Sequence, residues 1–167
     1  LETVGEWNFN GALQGAMIVG WNLQLAILDG LEGLEGVLGK SNLGYSVDIY
    51  NNGALTSIRG LRGLQGLLPG SLMVYRNPVL SSLSGLELLT GVAAKDTRGR
   101  SLYIANDVLC LSAPDRARFL DGTRFSLPDA GDSGVTFPQA VRTTGCAACP
   151  ADAACDGTGN GDATAPC

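Results

Sequence analysis

Residues 47–67, VDIYNNGALTSIRGLRGLQGL, decide the fold, because the segments on either side are worn copies of the same phrase. Ile58-Arg59-Gly60-Leu61 overlies Leu28-Asp29-Gly30-Leu31 at a spacing of 30 residues, and Leu83-Ser84-Gly85-Leu86 at 25. The same shifts align Val19, Ile49 and Val74, then Leu25, Leu55 and Leu80, then Leu31, Leu61 and Leu86. Asn22, Asn52 and Asn77 fall into register as well. A fourth copy starts at Ser101-Leu102-Tyr103-Ile104 and breaks off at Leu109-Cys110. Self-similarity at such a period marks a solenoid: one coil cannot bury its own apolar face, and stacked coils share a core.

Each repeat has three parts. A short alternating strand comes first, and its period of two sends Met17 and Val19, Val47 and Ile49, Leu72 and Val74, Leu102 and Ile104 to the interior. An asparagine corner follows, then a Leu-x-x-Ile/Leu segment, then a Gly-Leu phrase. The closing leucines, Leu31 and Leu34, Leu61 and Leu64, Leu86 and Leu88, are too interrupted by glycine for a long helix. Turns, extended segments or single helical turns are expected there. The connections back to the next strand, residues 38–46, 68–71 and 93–101, vary in length and project from one edge of the stack.

The ends differ from the middle. Residues 1–15, with Trp7, Phe9 and Leu13 among polar residues and glycines, suit a capping strand or hairpin. Ser112-Ala113-Pro114-Asp115 followed by Phe119, Leu120 and Gly122 predicts a short capped helix that closes the core. The expected division is a β-helix with its capping helix over 1–122, an irregular linker or covering segment over 123–145, and a cysteine-rich tail over 146–167 that opens a further module.

Composition narrows the function classes. Of 167 residues, 45% are hydrophobic, which is ample for one core. A net charge of −5 without a basic block argues against nucleic acid and anionic membrane as partners. The absence of histidine removes the commonest general base and metal ligand. No apolar run reaches 18 residues, so no helical span is expected. Five cysteines, Cys110, Cys146, Cys149, Cys155 and Cys167, predict disulfides in an oxidising compartment, and the odd count leaves one to pair elsewhere. The chain opens on Leu1 without an initiator methionine, as expected of a piece of a longer polypeptide.

The order strand, Asn, Leu-x-x-Leu-x-Gly-Leu-x-x-Leu, closed by Asn106-Asp107-Val108-Leu109-Cys110 and a helix, resembles the receptor L domain of the insulin and epidermal growth factor receptors. It is similar, too, to fungal and protist cell-surface proteins built on that leucine-rich β-helix. The likeness spans roughly residues 15–122. It implies a right-handed β-helix, here of about four coils, in an extracellular protein that meets ligands or partners on a sheet face. The tryptophan usual after the family's terminal cysteine is missing, Phe119 being the nearest substitute, and the coils are unusually glycine-rich.

Candidate sites follow from the columns. Asn22, Asn52 and Asn77 read as a structural ladder that satisfies corner amides. Glu32, Arg62 and Glu87, like Asp29, Arg59 and Ser84, read as a surface charge ladder; as a glycosidase pair, Glu32 and Glu87 are too far apart, with an arginine between them. Cys146-Ala147-Ala148-Cys149 suits a disulfide better than half a zinc knuckle. Asp156, Thr158, Asn160 and Asp162 imitate the first half of a calcium loop, but Cys167 stands where the bidentate glutamate belongs, so an acidic turn is favoured over a metal site. No cofactor is expected.

The alternation places Asp48 and Tyr50, Met73 and Tyr75, Tyr103 and Ala105 on the outside of the strands. Asp48, Tyr50, Met73, Tyr75 and Tyr103 are the expected contact patch for a protein or glycan partner at the cell surface. Three functions remain in order: a non-enzymatic extracellular binding or adhesion module, a structural subunit of an extracellular assembly, and a polysaccharide-active β-helix enzyme.

Overall fold

The structure is a computed structural model that describes residues 15–34, 38–106, 109, 118–119, 125–129 and 134–136. Short strands dominate: β1 (Met17–Gly20), β2 (Tyr45–Tyr50), β3 (Gly66–Leu68), β4 (Ser71–Tyr75), β5 (Leu89–Val92), β6 (Leu102–Ala105) and β7 (Val135–Thr136). β1, β2, β4, β6 and β7 form one parallel sheet in that order, and β3 pairs with β5 in a second. Parallel neighbours that are one circuit apart in sequence make a β-solenoid, here stacked in about three turns. The register is the one the columns predict: Val47 lies between Met17 and Leu72, and Ile49 between Val19 and Val74.

Three consecutive coils repeat the same turns with the same hydrogen bonds. The amides of Leu25, Leu55 and Leu80 donate to the carbonyls of Asn22, Asn52 and Asn77. Those of Leu31, Leu61 and Leu86 donate to Leu28, Ile58 and Leu83, and those of Leu34, Leu64 and Leu89 to Leu31, Leu61 and Leu86. One of these turns, Arg59–Leu61, is a single turn of 3-10 helix. The closing leucine of the third coil is therefore Leu89, which is buried in the core; Leu88, expected there from the sequence, is 53% exposed. The second circuit, from Val47 to Leu72, spans 25 residues, and the same shift carries Leu64 onto Leu89.

Inward side chains of both sheets and all three turns make one apolar cluster that runs the length of the stack, from Met17 to Phe125. Glycine serves close approach as much as turn geometry. A Cβ at Gly60 would run into the Leu28 carbonyl of the coil below, and one at Gly85 into that of Ile58.

Beyond β6 the described residues stay with the solenoid. Arg118 and Phe119 are helical, and Phe119 packs against Phe125 at 5.1 Å between ring centroids. Ser126 bridges Gly91, and β7 pairs with β6, so the described parts of 123–145 add to both sheets. The expected cap residues Ser112 to Asp115, the N-terminal cap over 1–14, and all five cysteines lie outside the described residues, as do Asp156, Thr158, Asn160 and Asp162.

Candidate functional site

The corners at the ends of β1, β2 and β4 set up everything on the outer face. Trp21, Asn51 and Arg76 occupy the left-handed region at φ 61°, 54° and 54°. Each donates its amide to the carbonyl that ends the next strand, Tyr50, Tyr75 and Ala105 respectively. This turn swings the following asparagine inside. Asn22 donates its amide and side-chain nitrogen to Asn52 Oδ1, Asn52 does the same to Asn77, and Asn77 to Asn106, all at 2.9–3.2 Å. Side-chain nitrogens also reach strand carbonyls: Asn52 to Val19, Asn77 to Ile49, Asn106 to Val74. Asn106 is a rung that a 30-residue shift misses, because the third circuit has no corner residue between Ala105 and Asn106 and the spacing is 29.

The glutamates of the column Glu32, Arg62 and Glu87 bond to backbone. Glu32 Oε2 accepts the Gly30 amide at 2.6 Å, and both Glu87 oxygens accept the Gly85 amide at 3.0 and 2.8 Å. Each carboxylate caps its own turn, and among the described residues no ion pair joins Glu32, Arg62 and Glu87. Bonds from its own amide and from that of Gly30 hold the Glu32 carboxyl below the usual range.

On the outside of the long sheet, aromatic rings run across the strands as a ridge. Trp21 meets Tyr50 edge-on at 6.3 Å, Tyr50 and Tyr75 stack at 5.5 Å with only 10° between planes, and Tyr75 meets Tyr103 edge-on at 5.4 Å. The stack follows from parallel pairing, which puts identical side chains about 4.8 Å apart. Gly20 is needed beneath it, since a Cβ there would collide with the Tyr50 ring. Trp21, at 69% exposure, is the most open of these rings.

Two of the expected contact residues are not on the surface. Asp48 is 5% exposed and Met73 0%. Both point away from the core, and Met73 lies outside the apolar cluster, so they are covered from the outer side. The connection 38–44 meets a second, 93–101, which lies near Asp48, with Asp96, Arg98 and Arg100 within electrostatic reach of that carboxyl. Thr97 donates its amide to Leu43, and Gly44 lies against the backbone of Asp96. The second loop is pinned by Asp96, whose carboxylate accepts the Arg98 and Arg100 amides at 2.8 Å and the Arg100 guanidinium at 2.8–2.9 Å. Arg100 then lies over the Tyr103 ring at 5.1 Å. A bulge in β2 opposes Tyr45 to Ser71 and Val47 to Leu72, which brings Tyr45 to the outer side, where it too is buried.

Asp48 thus sits in a frame of Tyr45, Tyr50 and Tyr75, and its Oδ1 is buried without a hydrogen-bond partner. Burial raises its pKa to about 6, with Asp96 adding to the rise and Arg100 and Arg98 opposing it. Burial and then the Asp48 charge push the Tyr75 hydroxyl up to about 12. Between pH 4 and 6 the folded chain holds a proton on Asp48 that the unfolded chain has released, so stability falls as pH rises. Above about 6 the cost is complete, on the order of 3 kcal/mol for a shift of about two units. Asp48→Asn is therefore expected to stabilise the protein by about 2–3 kcal/mol at pH 7.5 and to change little at pH 4. Urea denaturation at the two pH values checks this.

The sequence singled out Tyr50, Tyr75 and Tyr103, and the structure brings them together. It missed Trp21, Tyr45 and Arg100. Trp21 could have been found in the column of Asn51 and Arg76, whereas the bulge conceals Tyr45. Among the described residues, no group of three or more acidic or cysteine side chains could hold a metal ion, and no helix is long and apolar enough to cross a membrane. No family model, curated protein or solved structure matches the chain.

Proposed function

We propose that the protein is a non-enzymatic binding module of the extracellular space or cell surface, and that it meets its partner along the ridge from Trp21 to Tyr103. The observation that carries this reading is the unbroken row of four aromatic rings held in place by ring stacking and the strand ladder. Rigid amphipathic rings offer contact area at low entropic cost, and tryptophan and tyrosine dominate the energetic centres of interfaces. The lack of histidine and the five cysteines support a binding role outside the cytosol. The resemblance to receptor L domains points the same way.

Trp21→Asn combined with Tyr50→Ser tests it. Asparagine suits the left-handed corner, as Asn51 does one coil on, so the backbone is undisturbed. Binding to a panel of extracellular proteins and glycans should fall about tenfold or more, with the circular dichroism spectrum retained. Undiminished binding would move the contact off the ridge.

A second reading, a subunit that stacks end to end, is favoured by β1. Among the described residues it is an edge strand, and Trp21, Leu23 and Ile27 of the same coil are exposed. Sedimentation velocity separates the two, because stacking makes the sedimentation coefficient rise with concentration.

A further inference from the structure

We propose that Tyr50 and Tyr75 form an oxidative cross-linking site, at which a peroxide-dependent one-electron oxidant joins the two rings by a carbon–carbon bond and so fastens neighbouring coils covalently. This goes beyond the binding role and does not depend on it.

Two tyrosines couple when each has become a phenoxyl radical and the ring carbons beside the oxygens meet along their π lobes, which stand perpendicular to the ring planes. The rings must therefore lie face to face with like positions opposed. Tyr50 and Tyr75 are partners in parallel register, so their side chains leave equivalent backbone positions in the same direction. Their planes differ by 10° at 5.5 Å between centroids. The same column holds Gly20 before the pair and Ala105 after it, so the two rings have no large neighbour within their own row. Gly20 is what lets the Tyr50 ring take its place, because a Cβ there would meet it. Tyr103 lies as near to Tyr75, at 5.4 Å, but its plane is turned by 78°, and edge-on rings do not bring their π lobes together. Tyr45, the remaining tyrosine of the chain, is buried.

Access is direct. Tyr50 and Tyr75 are half-buried, and Trp21, 69% exposed and edge-on to Tyr50 at 6.3 Å, is a more open ring from which an electron vacancy can pass inward. Tyr75 enters as the neutral phenol, since burial and then the Asp48 charge push its pKa up to about 12. Each hydroxyl gives up one electron and one proton to become a phenoxyl radical. A bond forms between the two ring carbons, each of these carbons then loses its hydrogen as a proton, and each oxygen regains one, which restores both phenols. The two electrons and two protons released reduce one hydrogen peroxide to two waters.

The test treats the full chain, diluted so that copies seldom meet, with hydrogen peroxide and a haem peroxidase. The expected product is a monomer lighter by two hydrogens, with dityrosine fluorescence and a linked peptide pair that contains Tyr50 and Tyr75. Its melting temperature should exceed that of the untreated chain, because the bond closes a loop in the unfolded state. Tyr75→Phe keeps a ring in the stack and should abolish the product, whereas Tyr103→Phe should leave its yield unchanged. Absence of a monomeric product, a link mapped to Tyr45 or Tyr103, or undiminished yield from Tyr75→Phe would each overturn the proposal. None of these outcomes bears on the contact surface, which the Trp21→Asn, Tyr50→Ser variant decides.

Discussion

Asn77→Ala is expected to lower the free energy of unfolding by about 3–5 kcal/mol, the largest loss for any single polar group described above. Its Oδ1 accepts from the amide and the side-chain nitrogen of Asn52, and its own nitrogen reaches Ile49 O, Tyr75 O and Asn106 Oδ1. Alanine would leave several of these groups without partners in a site closed to water, each at about 1–3 kcal/mol before relaxation. The losses do not simply add, because each rung also orients the next. Asn22→Ala is the internal control: that rung is half-buried and its nitrogen reaches one carbonyl, of Gly20, so about 0.5–1.5 kcal/mol is expected. Urea denaturation of both variants decides the matter, and similar small losses would mean that the rungs are not continuous.

Leu61→Ala should cost about 2–5 kcal/mol, the sum of lost transfer free energy and the cavity left behind. Leu61 is fully buried in the apolar cluster, on the turn pinned by the Ile58 carbonyl. Collapse around the cavity is hindered because the strands of neighbouring coils are fixed by their ladders. The same substitution discriminates the register of the third coil. Leu89→Ala should fall in the same range and Leu88→Ala within about 0.5 kcal/mol of wild type, because Leu88 is exposed. Thermal melts of the three variants measure this, and the opposite ranking of Leu88 and Leu89 would restore the register read from sequence.

The strands and columns were legible because alternation and self-similarity are local facts: Val47 and Ile49, Leu55, Leu61 and the first three asparagines could be placed without knowing what lies over them. Leu88 was taken as the closing leucine although the 25-residue shift that carries Leu61 onto Leu86 carries Leu64 onto Leu89, and a corner without its left-handed residue hid Asn106. Asp48 and Met73 were placed on the correct side of the sheet, but both are buried, and beside Asp48 the connections 38–44 and 93–101 are joined through Asp96 and Gly44. Those contacts join segments some 50 residues apart, which no periodicity in a single chain reports.

The asparagine rungs are spaced 30, 25 and 29 residues apart along the chain yet only one strand spacing apart along the axis. Under tension between its two ends, such a stack would yield from the outermost coil inward. Each rupture would break one row of ladder bonds and one rung, then release a circuit of chain some 80–105 Å long for about 5 Å of folded height. The solenoid would therefore act as a stepwise spring, and the buried amides would set the force at which each step gives way.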